Sequence, residues 1–310
     1  MNGSLSEEER KVLLGATVRR FREQRGLSLN HVAYDLLDLN GAGPLIAIEQ
    51  GRRMPQLRTL RKLMSVLKLT PAEIAELEGL AGYRQETRLP PLDQILLVLE
   101  QLEPELARHA YPAYVIDYKF RYWMVNSAAA VLVGGIDKLL RLAQSAPTVF
   151  DVIFDSRNGL KSVLREIERL QIEQIYRFKL YNQFRRFEDF YRNLVDNMRN
   201  RGWPQEDFVN FRLLWERTDV LNDIAQQFEI YSVTPRVSVN IGQNVLRFYL
   251  FTGDLPWFER MLYVVMYHPE SDADAHNAQQ LTYSLPKECL RLWEIAPEDY
   301  TEEHQDPDDE

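Results

Sequence analysis

Residues 27–55 read LSLNHVAYDLLDLNGAGPLIAIEQGRRMP, and this stretch decides the fold of the first part of the chain. Ser28 is a suitable N-cap for a short helix. Pro44 fits the first turn of the next helix, where its missing N–H leaves no hydrogen bond unmade. Gly51 ends that second helix, and a basic turn follows it. The pattern therefore predicts two short helices separated by a turn.

Further helices are predicted on both sides of this stretch. Apolar residues three and four positions apart predict a helix over residues 7–25. A leucine-rich face runs through residues 57–67. The sequence TPAE at 70–73 combines a capping box with proline at the first helical position, which is a strong start signal. We therefore predict an all-α domain of about five helices over residues 7–82, called the head below.

The charge of the chain is distributed unevenly. The net charge is −9, yet residues 16–70 hold ten Lys/Arg against four Asp/Glu, so this segment carries +6 and the remainder −15. A basic head on an acidic body indicates that only the head meets a polyanion. The plainer alternative is an ordinary basic helical surface.

The head resembles the Cro/phage-repressor (XRE) type of helix-turn-helix protein over residues 14–82. The residues that carry the match are VRRFR at 18–22, GLS at 26–28, VA at 32–33, IEQG at 48–51, and Pro55 with the leucines after it. The resemblance implies that the second short helix enters the major groove of double-stranded DNA and that the protein binds as a homodimer. It also implies an ion pair between Arg22 and Glu49 that ties two helices together.

The candidate DNA-binding residues lie on or near the second short helix and just after it. They are Asn40, Ile46, Ala47, Gln50, Arg52, Arg53, Arg58, Arg61 and Lys62. The five cations, called the basic cluster below, can contact phosphates, which position a protein but specify little sequence. The groove-facing positions near Ala42, Gly43, Ile46 and Ala47 cannot make the bidentate contacts that read base edges. The alternative is therefore a lipid-binding or protein-interaction module whose head has lost specific DNA reading.

A linker and a second domain follow the head. The polar, proline-ended stretch YRQETRLPP at 83–91 is predicted to be the linker. The second domain is predicted over residues 92–296, and a very acidic tail over 297–310. Strands are predicted within residues 111–126, 228–241, 244–252 and 259–268, with Gly242-Gln243 as a hairpin turn and a long helical region after the second strand. These elements predict an α+β domain with a five-stranded antiparallel sheet and a large helical insertion.

This order of elements resembles the PAS-like ligand-binding domain that follows an XRE head in the MmyB-like transcription regulators. The match is carried by PAYVID at 112–117, Trp123, Asn126 with the alanines after it, VSV at 237–239, LRFY at 246–249 and LYVVMY at 262–267. The resemblance implies a buried pocket for an apolar small molecule, with a fatty acid as the most reasonable class. The whole chain is then expected to be a ligand-responsive DNA-binding regulator.

Aromatic side chains are concentrated between residues 176 and 215, which offers more aromatic area than a simple helical face needs. Small-molecule pockets are mostly apolar with a few placed polar groups. The candidate ligand-binding residues are Tyr114, Trp123, Tyr181, Phe184, Arg185, Phe187, Phe211, Trp215 and Phe248. Arg177, Lys179, Arg185 and Arg186 lie in the same stretch, and one of them could meet a carboxylate. The alternative is that the aromatic residues are core and the basic residues are solvated.

Other functional classes lack their sequence signals. The motifs HExxH, GxSxG and GxxxxGK[ST] do not occur, and the histidines lack metal-ligand spacing. Cys289 is the single cysteine, which rules out a disulfide framework. We expect no enzymatic activity, no catalytic residue, no metal and no cofactor apart from the ligand. No apolar run approaches the roughly 18–20 residues of a membrane span, the first residues are not a secretory signal, and a cytoplasmic location is expected.

Overall fold

The computed structural model describes residues 6–36, 41–85, 89–145, 148–158, 160, 163–218, 236–241, 244–255 and 261–295. Asn40, the Gly242-Gln243 turn, part of the linker and the acidic tail 297–310 lie outside the described residues. The described chain forms two compact units. The first unit contains the described residues up to 85 together with Asn182–Asn197, and the second contains the rest. Among the described helices, none has the length and apolar character needed to cross a membrane.

The first unit is helical, as predicted for the head. Its elements are α1 (Glu7–Gln24), a π-helix (His31–Leu36), α2 (Gly43–Glu49), α3 (Leu57–Val66), α4 (Pro71–Leu80) and the short α10 (Asp189–Arg192). Capping boxes start both α1, at Ser6 and Glu9, and α4, at Thr70 and Glu73. Each box satisfies two backbone N–H groups that a helix start leaves without partners, which fixes where these helices begin.

The core of the head is mainly aliphatic and joins all of its long helices. Buried members include Leu14, Val18 and Phe21 of α1, Leu45 and Ile48 of α2, Leu60 and Leu63 of α3, and Leu77 and Leu80 of α4. The backbones of α1 and α2 approach each other closely. A Cβ on Gly15 would lie 2.3 Å from the carbonyl oxygen of Ile48. Only glycine therefore allows α1 to approach α2 this closely.

Arg22 and Glu49 form the ion pair that the resemblance implied. The Arg22 Nε and Nη2 atoms donate to the two carboxylate oxygens of Glu49 at 2.7 and 2.9 Å, and Nη1 donates to the Leu27 carbonyl at 2.8 Å. The side chains are only 11% and 5% exposed. The hydrogen bond with Glu49 raises the pKa of Arg22 above its ordinary value. The pair is bidentate and fixes α1 on the C-terminal end of α2.

Replacing Arg22 by methionine is expected to destabilise the head by about 3 kcal/mol, because the Glu49 carboxylate stays buried without its partner. Hydrogen exchange of the α1 and α2 amides would measure the loss. The double variant Arg22→Met/Glu49→Leu should recover much of it, since no charge is then left buried. Arg19→Met, at an exposed pair with Glu23, is the control and should leave exchange nearly unchanged. Unchanged exchange in Arg22→Met would contradict a structural role for the pair.

The segment Asn182–Asn197 packs with the head, although the predicted domain boundaries assign it to residues 92–296. Phe187 is 5% exposed and belongs to the hydrophobic core of the head. A Cβ on Gly79 of α4 would lie 2.1 Å from the Phe187 ring. The ring thus occupies the space that a side chain on α4 would need. The sequence does not reveal this contact, because Phe187 is far from Gly79 along the chain. An aromatic residue in the sequence also gives no sign of which of the two hydrophobic cores it packs in.

The second unit combines helices with one sheet. Its helices are α5 (Leu92–Arg108), α6 (Ala130–Val133), α7 (Ile136–Ser145), α8 (Val149–Phe154), α9 (Ile167–Tyr181), α12 (Gln205–Arg217), α13 (Asp272–Thr282) and α14 (Leu292–Ile295). Between α10 and α12, α11 (Leu194–Asn200) runs from the first unit into the second. Two separate stretches of the chain therefore form the first unit. One is the described residues up to 85, and the other is Asn182–Asn197, which lies between two parts of the second unit in the sequence.

Within the described residues the sheet has seven antiparallel strands, so the predicted number of five was wrong. The strands are β1 (Ala113–Asp117), β2 (Tyr122–Asn126), β3 (Leu164–Arg165), β4 (Arg236–Ile241), β5 (Asn244–Asp254), β6 (Leu262–Pro269) and β7 (Cys289–Arg291). Their order is β3-β4-β5-β6-β1-β2-β7. The five predicted strands form the central run, and β3 and β7 extend it at the two edges. The added strands have only two and three residues, too few to show the alternation by which a strand is recognised.

Candidate nucleic-acid interface and internal cavity

Nine basic residues of the head fall into two groups. The first group consists of four arginines of α1 and its C-terminal end, each paired with a carboxylate of the head. The pairs are Arg19–Glu23, Arg20–Glu76, Arg22–Glu49 and Arg25–Glu73, with N–O distances of 2.7–2.8 Å. Two of these pairs join α1 to α4, and one joins α1 to α2. These four arginines therefore connect parts of the head to each other.

The second group is the basic cluster, Arg52, Arg53, Arg58, Arg61 and Lys62. All five residues are exposed, and within the described part of the chain no carboxylate forms an ion pair with them. Arg58, Arg61 and Lys62 line one shallow groove on α3. Exposed cations without carboxylate partners are the groups that can neutralise phosphates. The structure thus separates the predicted phosphate contacts from the cations that hold the head together.

The candidate base-reading residues of α2 are mostly apolar. Ile46 and Ala47 are half-buried, while Gln50, just after the helix, is exposed. Among the described candidates on and beside α2, Gln50 alone carries an amide that can contact adenine bidentately. Ile46 and Ala47 offer contact with a thymine methyl at most. The surface is therefore richer in phosphate-binding groups than in base-reading groups.

The second unit contains an apolar cavity of about 90 Å³. Its wall is formed by strands β1 to β4, β6 and β7 together with helices α6 to α9 and α14. The lining residues are Tyr114, Tyr122, Val125, Ala129, Leu132, Val133, Leu139, Leu142, Ala143, Val149, Val152, Ile153, Leu160, Leu164, Leu170, Gln174, Val237, Tyr267, Leu290 and Leu292. Side-chain polarity in this wall comes from three tyrosines and one glutamine. An apolar wall with a few convergent polar groups is typical of a small-molecule site.

The three tyrosines of the wall form one cluster. The Tyr114 ring centroid lies 5.1 Å from that of Tyr122 and 6.1 Å from that of Tyr267. Tyr114 on β1 is opposite Val265 on β6, and Tyr267 two residues later points to the same face because strand side chains alternate. Burial raises the pKa of Tyr114 to about 12 and the pKa values of Tyr122 and Tyr267 well above the ordinary value. All three are therefore neutral hydroxyls at physiological pH.

Tyr114 is the one predicted ligand-binding residue that the structure places in the cavity wall. Trp123, Phe211 and Phe248 are fully buried in the packing of the second unit. The Trp123 Nε1 donates to Asp117 at 3.2 Å, and Phe211 packs edge-on against Phe154 with ring centroids 5.0 Å apart. Their size and apolarity serve the core, which was the alternative interpretation of these aromatic residues.

The other predicted ligand residues also lie away from the cavity wall. Tyr181 stacks on Tyr263 with ring centroids 4.7 Å apart, and Trp215 packs under the Lys179 ammonium, 4.3 Å from its ring centroid. Phe184, Arg185 and Phe187 belong to the first unit. The wall residues that the sequence did not indicate are mostly aliphatic, and helices α7 and α8 supply six of them. Their helical periodicity marks a buried face, and nothing in it distinguishes a cavity wall from a filled core.

Cys289 is half-buried, and burial with the nearby Glu103 raises the pKa of its thiol to about 12 from an ordinary 9.0. Since the thiolate is the reactive form, we expect alkylation by iodoacetamide at pH 8 to be about 10³-fold slower in the folded protein than in urea. Mass spectrometry of timed samples would measure both rates. Equal rates would show that the thiolate is accessible.

Among the described residues, no group of His, Cys, Asp and Glu is arranged to hold a metal ion.

Comparison with known proteins identifies the first unit. No curated protein matches the chain. A family model described as a helix-turn-helix domain matches residues 13–77, which run from α1 into α4 and include the Arg22–Glu49 pair, α2 and the whole basic cluster. Residues 13–77 of this chain therefore match a helix-turn-helix domain, a fold that DNA-binding regulators use.

Proposed function

We propose that the chain is a ligand-responsive transcription regulator. Its head binds double-stranded DNA as a homodimer, and the cavity of its second unit binds an apolar small molecule of the fatty-acid class. The observation that carries the ligand-responsive part is one continuous stretch of chain, residues 167–197. This stretch supplies part of the cavity wall and then part of the core of the head.

The stretch begins with α9, whose Leu170 and Gln174 line the cavity. Directly after Tyr181 the chain enters the segment Asn182–Asn197, and Phe187 of this segment packs in the core of the head against Gly79. A ligand that shifts α9 therefore acts on a segment that is covalently continuous with it. The ligand changes DNA binding only if its affinity differs between two arrangements of this segment.

The strand order supports the resemblance of the second unit to PAS-like domains of MmyB-like regulators. The central run β4-β5-β6-β1-β2 contains all five strands of the predicted plan, and α6 to α9 follow the second of them. The cavity lies against this sheet, with Tyr114, Tyr122 and Tyr267 on its wall. A ligand site in this position is what the resemblance implies.

The DNA-binding part is supported by the helix-turn-helix match and the basic cluster. In such domains, dimers place two recognition helices about one turn of DNA apart. Because the basic cluster offers mainly phosphate contacts, we expect affinity that falls steeply with salt and modest discrimination between sequences.

The test uses the purified full chain and double-stranded sites selected from a random library at low salt. Affinity for a selected site is measured by anisotropy with and without decanoic acid, and native mass spectrometry reports the oligomeric state and any bound ligand. We expect a dimer and a ligand effect of about fivefold or more on DNA affinity. The absence of DNA binding at low salt, with or without ligand, would refute the proposal.

A pair of variants separates the two activities. Ala143 lines the cavity, and Ala143→Phe should fill it, which removes the ligand effect and keeps DNA binding. Ala273 is exposed on α13, and Ala273→Phe is the matched control that should retain the ligand effect. A ligand effect that survives in Ala143→Phe would place the ligand outside this cavity.

The second candidate function is a lipid-binding or protein-interaction module whose head has lost specific DNA reading. The apolar groove-facing residues Ile46 and Ala47 favour it. The same selection distinguishes the two functions, because a module of this kind would bind the ligand while the library would yield no preferred sequence.

A further inference from the structure

We propose that the ligand of the cavity presents a neutral oxygen at its polar end, in a hydroxyl, a carbonyl or a protonated carboxyl group, and that it does not bind as a carboxylate. This inference rests on the proposed function, in which the cavity is the ligand site. It specifies the head group of the ligand, which the resemblance to PAS-like domains leaves as a fatty acid.

The wall of the cavity provides no charge to balance a carboxylate. Among its described residues the polar side-chain groups are the hydroxyls of Tyr114, Tyr122 and Tyr267 and the amide of Gln174. A carboxylate moved from water into such a wall loses its hydration without gaining a counter-ion, which is costly. A neutral oxygen needs only hydrogen bonds, which hydroxyl and amide groups of this kind can make.

The charged groups nearest the tyrosines lie outside the wall and have other partners. Arg177, whose positive charge acts on Tyr114 and Tyr267, donates to the Thr252 hydroxyl at 3.3 Å. Asp151, whose negative charge acts on Tyr122, lies 3.1 Å from Arg201 and accepts from the Trp203 indole at 3.0 Å. Tyr181 is the remaining titratable neighbour of Tyr114. Among the described residues, Arg177 is the one cation whose charge acts on Tyr114 and Tyr267, and a carboxylate in the cavity would have to draw it away from the Thr252 hydroxyl.

Hydroxyl protons favour an oxygen acceptor in the cavity. The rings of Tyr114 and Tyr267 lie side by side in the wall, with centroids 6.1 Å apart, so one hydroxyl can donate to the other. The proton of the second hydroxyl can then be donated to a ligand oxygen. Burial keeps both groups protonated, as their raised pKa values show, so they remain donors at neutral pH. A cavity of about 150 Å³ holds one benzene molecule, so this cavity of about 90 Å³ accepts a medium-length aliphatic chain only if the elements of its wall move apart.

The experiment measures binding of decan-1-ol and of decanoate to the delipidated full chain at pH 6.5 and pH 8.0. We expect the Kd of the alcohol to be the same at both values. The apparent Kd of decanoate should rise about 30-fold, because the protonated acid falls about tenfold for each pH unit above its pKa. Decanoate that binds as tightly as the alcohol at both pH values would overturn the inference and leave the proposed function intact. Failure of both ligands to bind would instead refute the proposed ligand function.

Three variants test the assigned groups. Tyr114→Phe should weaken decan-1-ol binding about fivefold, the effect of one hydrogen bond. Tyr249→Phe removes a hydroxyl that contacts Arg236 and Glu270 outside the cavity, and should leave binding unchanged. Arg177→Gln should leave the Kd of both decan-1-ol and decanoate unchanged. A loss of decanoate binding at pH 8.0 in Arg177→Gln would identify this residue as a carboxylate partner and overturn the inference.

Discussion

Replacing Phe187 by alanine is expected to destabilise the helix-turn-helix head by about 3–5 kcal/mol, the usual cost of removing a buried phenylalanine ring. The ring is 5% exposed and packs in the head core against Gly79 of α4. Removing it leaves a cavity that the glycine cannot fill. The measurement is hydrogen exchange of the α1 and α4 amides, because it reports the stability of the head separately from that of the second unit.

Phe251→Ala is the matched control, since Phe251 is 48% exposed on β5 of the second unit. It should leave exchange in the head unchanged. If Phe187→Ala also left it unchanged, the segment Asn182–Asn197 would not be part of the head in solution.

The milder Phe187→Leu should keep the head folded with an altered contact on Gly79. With this variant we expect ligand binding to be retained and the ligand effect on DNA affinity to be reduced.

Neutralising three cations of α3 together, by Arg58→Gln, Arg61→Gln and Lys62→Gln, is expected to lower DNA affinity by about 10²–10³-fold at 0.1 M salt. The three side chains line one groove and, within the described residues, have no carboxylate partners. If each meets one phosphate, the slope of log K against log salt should fall by about 2.7 in magnitude. Titrations of one selected site at several salt concentrations would measure both quantities.

The control for this variant changes net charge equally at exposed arginines of the second unit. These are Arg108, Arg212 and Arg236, each replaced by glutamine. We expect the control to bind DNA nearly as the wild-type chain does. Equal losses in both variants would mean that affinity follows net charge, and that the groove on α3 is not the phosphate contact.

The local signals of the head were sufficient to predict its helices. The capping box at 70–73 is an interaction between near neighbours, and Pro44 marks a helix start by its own geometry, so the sequence contains both signals. The Arg22–Glu49 pair followed from the resemblance, and the structure confirms it. The distinction between paired and free cations needed the fold, because Glu73 and Glu76 reach Arg25 and Arg20 only after α4 packs on α1.

The cavity of the second unit was less predictable. The concentration of large aromatic residues predicted ligand-binding residues within 176–215, but in the structure Phe178 and Phe211 fill the core. The cavity is lined mainly by aliphatic residues of α6 to α9 together with Tyr114, Tyr122 and Tyr267. A cavity is space that side chains fail to fill. It depends on how several elements meet, and composition along one element does not reveal it.

The sequence by itself determined the helix-turn-helix head, the antiparallel plan of the second unit and the position of the basic cluster, because each depends on near neighbours or on periodicity. Tertiary structure alone decided three further features. It added β3 and β7 to the sheet, brought Phe187 into the head beside Gly79, and gathered three tyrosines around an apolar cavity. Each of these depends on contacts between residues far apart in the chain, and such contacts exist only after the chain has folded.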